Sequence, residues 1–197
     1  MNSHQTLIAH ILELVNLNED ERKIVHESFE SVHLSRKSFL LQKGDPSNHM
    51  RFVAHGCVKV FSIDEEGNEH VLQFGITGWW VNDLYAYLTE KPAHYFIQAV
   101  VDSTILQIHR DRLNLLYDQV PMMDRFFRIK TQSGYVALQE RTIDAMSLTA
   151  EQRYRVFIER YREMEQQIPQ YMIASYLGIT PEHLSTIRKK LIDRDRS

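Results

Sequence analysis

Apolar residues Leu7, Ile8, Ile11, Leu12 and Val15 recur with helical period and predict a short amphipathic helix at the start of the chain. Asn18 followed by Glu21 has the spacing of a capping pair, opening a second helix that carries Ile24, Val25 and Phe29. From about Val32 the period changes. Phe39-Leu40-Leu41, Met50 to Ala54, Cys57 to Ile63 and His70 to Phe74 are short apolar or alternating runs, separated by Gly44-Asp45-Pro46, His55-Gly56 and the polar turn Asp64 to Glu69. Further strands are expected at Tyr95 to Val101 and Thr104 to Ile108. Many short strands at this spacing predict an antiparallel barrel or jelly roll. Helical period returns with Asp111 to Tyr117, and Pro121 opens a long helix reaching about Met146. Its seam of Met123, Phe126, Phe127, Lys130, Gly134, Ala137, Leu138, Arg141 and Met146 is partly heptad-like, so it is expected to pack on a second copy of the chain. The alternative is that it covers the barrel of its own chain.

The C-terminal pattern is the most specific. Ser147-Leu148-Thr149 is a hinge candidate. Thr149 with Gln152 forms a capping box for a helix with Tyr154, Phe157, Ile158 and Tyr161 as its core side. Ile173 and Leu177 then share one face of a further helix, Ala174 is small where helices cross, and Gly178 suits a left-handed helix end. Thr180 is an N-cap, Pro181 a first helical residue, and Glu182 places negative charge in the first turn. Leu184, Ile187 and Leu191 give one apolar stripe, while Glu182, Ser185, Thr186 and Lys189 lie opposite. This is the spacing of a helix-turn-helix, and a helix buried on one side and polar on the other is what a DNA-reading helix needs. Ordinary packing of two helices gives the same stripe.

Composition narrows the classes. The chain has 197 residues, 43% hydrophobic and 25% charged, with a net charge of -3. That fits one or two globular domains, and any DNA contact must rest on a local basic patch. Arg188, Lys189, Lys190, Arg194 and Arg196 supply a modest one near the end of the chain, opposed by Glu182, Asp193 and Asp195. The single Cys, Cys57, excludes an intramolecular disulfide and a cysteine-ligated cluster within one chain, and fits a reducing cytoplasm. The N-terminus has no signal-peptide pattern, and no apolar run is long enough to span a membrane. No phosphate loop, metal-ligand spacing or nucleophile elbow is present, so no enzymatic activity is expected.

Barrel, long helix, hinge and helix-turn-helix occur in a distinctive order. With Lys43-Gly44-Asp45, His55-Gly56-Cys57-Val58-Lys59-Val60-Phe61, the Gly67 hairpin, and Gly78 followed by Asp83-Leu84, the chain resembles the superfamily of the catabolite activator protein and the fumarate-nitrate reduction regulator (CRP/FNR). The resemblance runs from about Asn18 to Ile192. It implies an α+β protein: an N-terminal double-stranded β-helix, or jelly roll, of the cyclic-nucleotide-binding type over residues 1–120, a dimerisation helix and hinge over 121–147, and a helix-turn-helix domain over 148–197. It further implies a cytoplasmic homodimeric transcription regulator acting on double-stranded DNA, with half-sites roughly 34 Å apart and RNA polymerase as a further partner. The chain stops at Ser197, soon after Leu191, so a full wing is not expected.

Nucleotide-binding members hold cyclic AMP after the β-roll glycine, with a Glu on the ribose and an Arg on the cyclic phosphate. Here Asp83 falls at the Glu position, Ala93 at the Arg position and His94 next to it. Ala93 cannot pair with a phosphate, and His94 is a poor permanent replacement, while Lys91 is near in sequence and an alternative cation for the site. The effector pocket implied by the resemblance comprises Phe74, Trp80, Asp83, Leu84, Ala93 and His94; its effector is unknown and not expected to be cyclic AMP. The aromatic residues Phe74, Trp79, Trp80, Tyr85, Tyr87, Tyr95 and Phe96 either fill the barrel or serve a flat ligand. No metal or cofactor is expected: His49, His55, His70 and His109 lack ligand spacing, and Cys57 reads as core. The resemblance places Thr180, Pro181, Glu182, Ser185 and Thr186 at the bases, and Arg188, Lys189 and Lys190 at the phosphates. Pro181 and Thr186 stand where the best-known readers carry Arg, so the operator is expected to differ. The competing reading is a binding module whose helical domain contacts a protein instead of DNA.

Overall fold

Alternation along the central strands decides where the core lies. The computed structural model describes residues 2–162 and 165–195 and divides into two units: residues 1–60 with 74–135, and residues 61–73 with 136–197. In the first unit, β1 (Glu30–Leu34), β7 (Ser103–His109) and β3 (His49–His55) form one antiparallel sheet in the order β1-β7-β3. The second sheet is β2 (Phe39–Leu41), β6 (Phe96–Ala99), β4 (Cys57–Ile63) and β5 (Glu69–Ile76), in the order β2-β6-β4-β5. Val53 of β3 and Ile105 of β7 share a buried cluster with Leu41, Val58, Val60 and Ile97 of the other sheet. Their neighbours Met50, Phe52, Leu106 and Ile108 point the other way. There they meet α1 (Ser3–Leu12), α2 (Glu19–Ser28), α4 (Arg110–Gln119) and the first turns of α5 (Met122–Ser147). A strand covered on both faces shows an apolar run instead of alternation, which is why Met50 to Ala54 is nearly continuous. This is the expected jelly roll, part of an α+β chain.

Three expectations are corrected. The strand expected from Tyr95 to Val101 shrinks to Phe96–Ala99, because its ends bond elsewhere. The Tyr95 amide donates to Asp83 Oδ2 (3.2 Å), and the Val100 amide to the Cys57 carbonyl (2.8 Å). Strand β1 was not foreseen; it is a mostly exposed edge with little apolar signature. The seam of α5 divides in two. Met123, Phe126 and Phe127 are buried in the chain's own core, whereas Gly134, Leu138 and Met146 of the seam are exposed, as are Tyr135, Val136 and Ile143 outside it.

In the second unit, α6 (Ala150–Arg160), α7 (Gln170–Leu177) and α8 (Pro181–Asp195) bury Phe157, Tyr161, Ile173, Leu177, Leu184 and Ile187. The expected caps are in place. Thr149 accepts from the Gln152 amide (3.3 Å), and Gly178 closes α7 at φ 66°. Thr180 Oγ1 accepts from the His183 amide at the start of α8 (3.2 Å). The tip of the β4–β5 hairpin belongs to this unit. Ser175 Oγ of α7 donates to the Glu69 carbonyl (2.6 Å) and accepts from the Val71 amide (3.0 Å). Arg141 of α5 donates to the carbonyls of Leu72, Val71 and Tyr176 and lies over the Tyr176 ring. The side chain of Arg194, and Arg196 and Ser197 entirely, lie outside the described residues.

Candidate functional site

Helix α8 is divided along its length. Leu184 and Ile187 are buried, and Thr180, Pro181, Glu182, Ser185, Thr186, Lys189 and Lys190 are exposed. The seven are on α8 and its N-cap, so one helix presents them. The Glu182 carboxyl is held below the usual carboxylate range by its own amide and by the Thr180 hydroxyl. It is therefore an anion, and an acceptor, at neutral pH. The Thr186 hydroxyl donates to the Glu182 carbonyl (3.0 Å), which leaves its methyl and its lone pairs for other contacts. The cations differ among themselves. Arg188 is half-buried and pairs with Glu165 (3.6 Å), which also accepts from the Tyr154 hydroxyl (3.1 Å). Lys190 pairs with Glu151 (3.4 Å), whereas Lys189 is exposed on the face of Ser185.

The residues expected around an effector are only partly brought together. Asp83 is almost fully buried and serves the backbone: it accepts from the amides of Ala86 (3.0 Å), His94 (2.6 Å) and Tyr95 (3.2 Å). It thereby caps α3 (Leu84–Thr89) and ties this helix to the start of the following loop. Ala93 is buried among the roll's aliphatic residues, and Phe74 is buried on β5. The Leu84 and His94 side chains are exposed, and the His94 ring stacks on Tyr85 (4.6 Å). The Lys91 ammonium is also beside Tyr85. Trp80 is elsewhere: its ring meets Phe52, Phe126 and Phe127 at 5.4, 5.9 and 4.9 Å, in the core beneath the helices. Of the aromatic cluster, Phe74, Trp80 and Tyr87 are packing residues, and Tyr85 is exposed.

Arg51 escaped the sequence reading. It is buried on β3, where burial pushes its guanidinium down to about 10 against the pull of Asp83. An arginine inside the apolar run Met50 to Ala54 was the available signal. Ser175, which holds the hairpin tip, carried no signal as an ordinary polar residue on a helix, and Arg141, expected in the seam of α5, bonds the hairpin-tip carbonyls instead. Cys57 is fully buried and burial pushes its thiol up to about 12, so at neutral pH it is an unreactive thiol. Among the described residues, no group of His, Cys, Asp and Glu has the arrangement of a metal site.

Residues 31–120 match the cyclic nucleotide-binding domain family. Over 187 residues the chain is 27% identical to the anaerobic regulatory protein of Pasteurella multocida, covering 89% of this chain and 68% of that protein. It is 24% identical over 165 residues to the transcriptional activator protein Anr of Pseudomonas aeruginosa, covering 78% and 67%. Among solved structures, FixK2 from Bradyrhizobium japonicum matches with a TM-score of 0.68 at 17% identity, over 85% of this chain and 86% of that one. Over most of its length the chain is thus similar to proteins named as anaerobic and transcriptional regulators, and it shares the fold of FixK2. The domain match ends at residue 120, so α5 to α8 follow it directly in the chain. Among the described residues, no helix is long and apolar enough to cross a membrane.

Proposed function

We propose that the chain is a transcription regulator of the CRP/FNR superfamily, which works in the cytoplasm as a homodimer whose two α8 helices enter successive major grooves of double-stranded DNA. The observation that carries this reading is the exposure of Glu182, Ser185, Thr186 and Lys189 along α8, with Leu184 and Ile187 buried behind them. Glu182 accepts from a cytosine amino group, Ser185 bonds a base edge, and the Thr186 methyl meets a thymine methyl. Lys189 takes a phosphate. Thr180 and Pro181 set the entry of the helix. Arg188 and Lys190 bind phosphate only at the expense of their ion pairs with Glu165 and Glu151, so they rank below Lys189. The working division is a sensor over 1–120, a dimerisation helix and hinge over 121–147, and a reader over 148–197. RNA polymerase is the partner through which a bound dimer alters transcription.

Dimerisation is supported by α5. From Thr131 to Glu140 nearly every residue is exposed, yet Tyr135, Val136 and Leu138 are large and apolar, and Ile143 and Met146 continue the exposed set. An exposed apolar set of this size on one helix marks an interaction surface. The effector of the roll is not cyclic AMP. A buried cyclic phosphate needs a cationic partner, but Ala93 has no charge, His94 is turned out against Tyr85, and the His94 and Tyr95 amides already bind Asp83.

Substitutions on α8 separate these roles. Lys189→Ala is expected to weaken binding about equally on every sequence and to lower the salt slope by about 1. Glu182→Ala is expected to relax preference at one base pair, at about 1–3 kcal/mol, with the slope unchanged. Fluorescence anisotropy on matched duplexes at several salt concentrations reads both. Equal effects of the two substitutions on all sequences would contradict the assignment.

A further inference from the structure

A cavity of about 370 Å³ opens in the second unit, among the hairpin tip, the end of α5, α6 and α7. Three arginines line it: Arg141, Arg153 and Arg160. Among the described residues, Asp144 is the one carboxylate on its wall. Arg141 donates to the carbonyls of Leu72, Val71 and Tyr176, and Arg153 to those of Leu148 (2.7 Å) and Leu177 (3.2 Å). Carbonyl bonds hold a guanidinium in place and leave its charge uncancelled. Among the described residues none of the three is within ion-pair distance of a carboxylate. Arg153 Nε is moreover buried with no hydrogen-bond partner. Like charges gathered in a concave, partly apolar wall repel one another and focus their field into the cavity. The Phe157 and Tyr176 rings also line this wall.

We propose that this cavity is a binding site for a small organic dianion, a phosphate ester or dicarboxylate with a flat apolar body. Two negative charges match the excess of three guanidiniums over one carboxylate, and the volume lies at the lower end for small-molecule pockets. The anionic end is met by Arg153 and Arg160, and the body lies against Phe157 and Tyr176. Arg160 is the discriminating residue: it has no hydrogen bond or ion pair of its own to lose among the described residues. The site also has a place in regulation. Val71 of the hairpin tip and Gly178, where α7 turns toward α8, both line it. A bound dianion therefore ties the tip to the helix-turn-helix and changes DNA affinity. This consequence rests on the DNA-reading assignment; the binding itself does not.

Isothermal titration of the full chain with phenyl phosphate and with phthalate tests the site, with benzoate and cyclic AMP as monoanionic comparisons. At least one dianion is expected to bind with submillimolar affinity, and the arm that binds tells phosphate ester from dicarboxylate. Arg160→Gln is expected to weaken binding about tenfold, the loss of one charge-assisted hydrogen bond. Asp144→Asn removes the opposing charge and is expected to tighten it. Circular dichroism and thermal melting establish that both variants are folded. No heat with either dianion at millimolar concentration would overturn the proposal, as would binding indifferent to both substitutions or benzoate binding as tightly. Binding by the intact site without any change in duplex affinity would overturn the regulatory consequence alone. The α8 substitutions are read without ligand, so failure here leaves the DNA assignment standing on its own test.

Discussion

Replacing Leu138 and Ile143 together by glutamate will leave the chain monomeric and reduce its affinity for a two-fold symmetric duplex by about a hundredfold or more. The magnitude comes from avidity: in a dimer the second recognition helix binds as an intramolecular step, which is worth about 10²–10⁴ in affinity. Both residues are largely exposed in the single chain, at 55% and 62%. The substitutions therefore cost the monomer little, while in a pair of helices they place four added carboxylates on and beside the apolar surface that pairing would bury. Sedimentation velocity reads the assembly, and fluorescence anisotropy reads the DNA. Met123, Phe126 and Phe127 serve as the internal comparison, since they are in the chain's own core and their truncation unfolds the first unit instead. A double variant that remains a dimer would show that the exposed face of α5 is not the interface.

Gly56→Ala will destabilise the first unit by about 2–5 kcal/mol, the sum of positive-φ strain of about 1–2 and overpacking of about 1–3. Gly56 turns β3 into β4 at φ 96°. A Cβ there would be 2.4 Å from Ser103 Oγ and 2.7 Å from the Asp102 carbonyl oxygen. Those atoms cannot give way freely, because Ser103 Oγ accepts from the Cys57 amide (3.1 Å) and donates to the Val101 carbonyl (2.8 Å). Gly67 has a similar φ of 88°, but open space where its Cβ would be. Gly67→Ala is therefore expected to show the strain without the clash. Thermal denaturation of the two variants separates the contributions, with a drop on the order of 10 °C for Gly56→Ala. Equal, small drops would mean that the turn accommodates a side chain.

Local signals in the sequence carried as far as local physics does. Asn18 with Glu21, Thr149 with Gln152, Thr180 and Gly178 each satisfy backbone groups within a few residues, and each is where the pattern places it. The division of α8 was legible for the same reason, because burial with a period near 3.6 is written into Leu184 and Ile187. What depends on distant packing was not. Nothing in Phe126 or Phe127 says whether an apolar seam meets its own barrel or another chain. Nothing in Trp80 says that it faces the helices and not the roll. Asp83 was legible as a residue of the implied effector pocket; that it gathers the amides of His94 and Tyr95 while capping α3 is a tertiary fact. The arginines of the cavity come from two helices, at spacings that resemble no motif, and only folding brings them together.

The most direct measurement is selection from a pool of randomised duplexes by the intact chain at low salt, followed by binding of the enriched sequence across a salt series. The account predicts a two-fold symmetric site with half-sites about 34 Å apart, bound with a steep salt slope. Enrichment of no sequence, or of an asymmetric one bound with the same affinity by the Glu182→Ala variant, would contradict it.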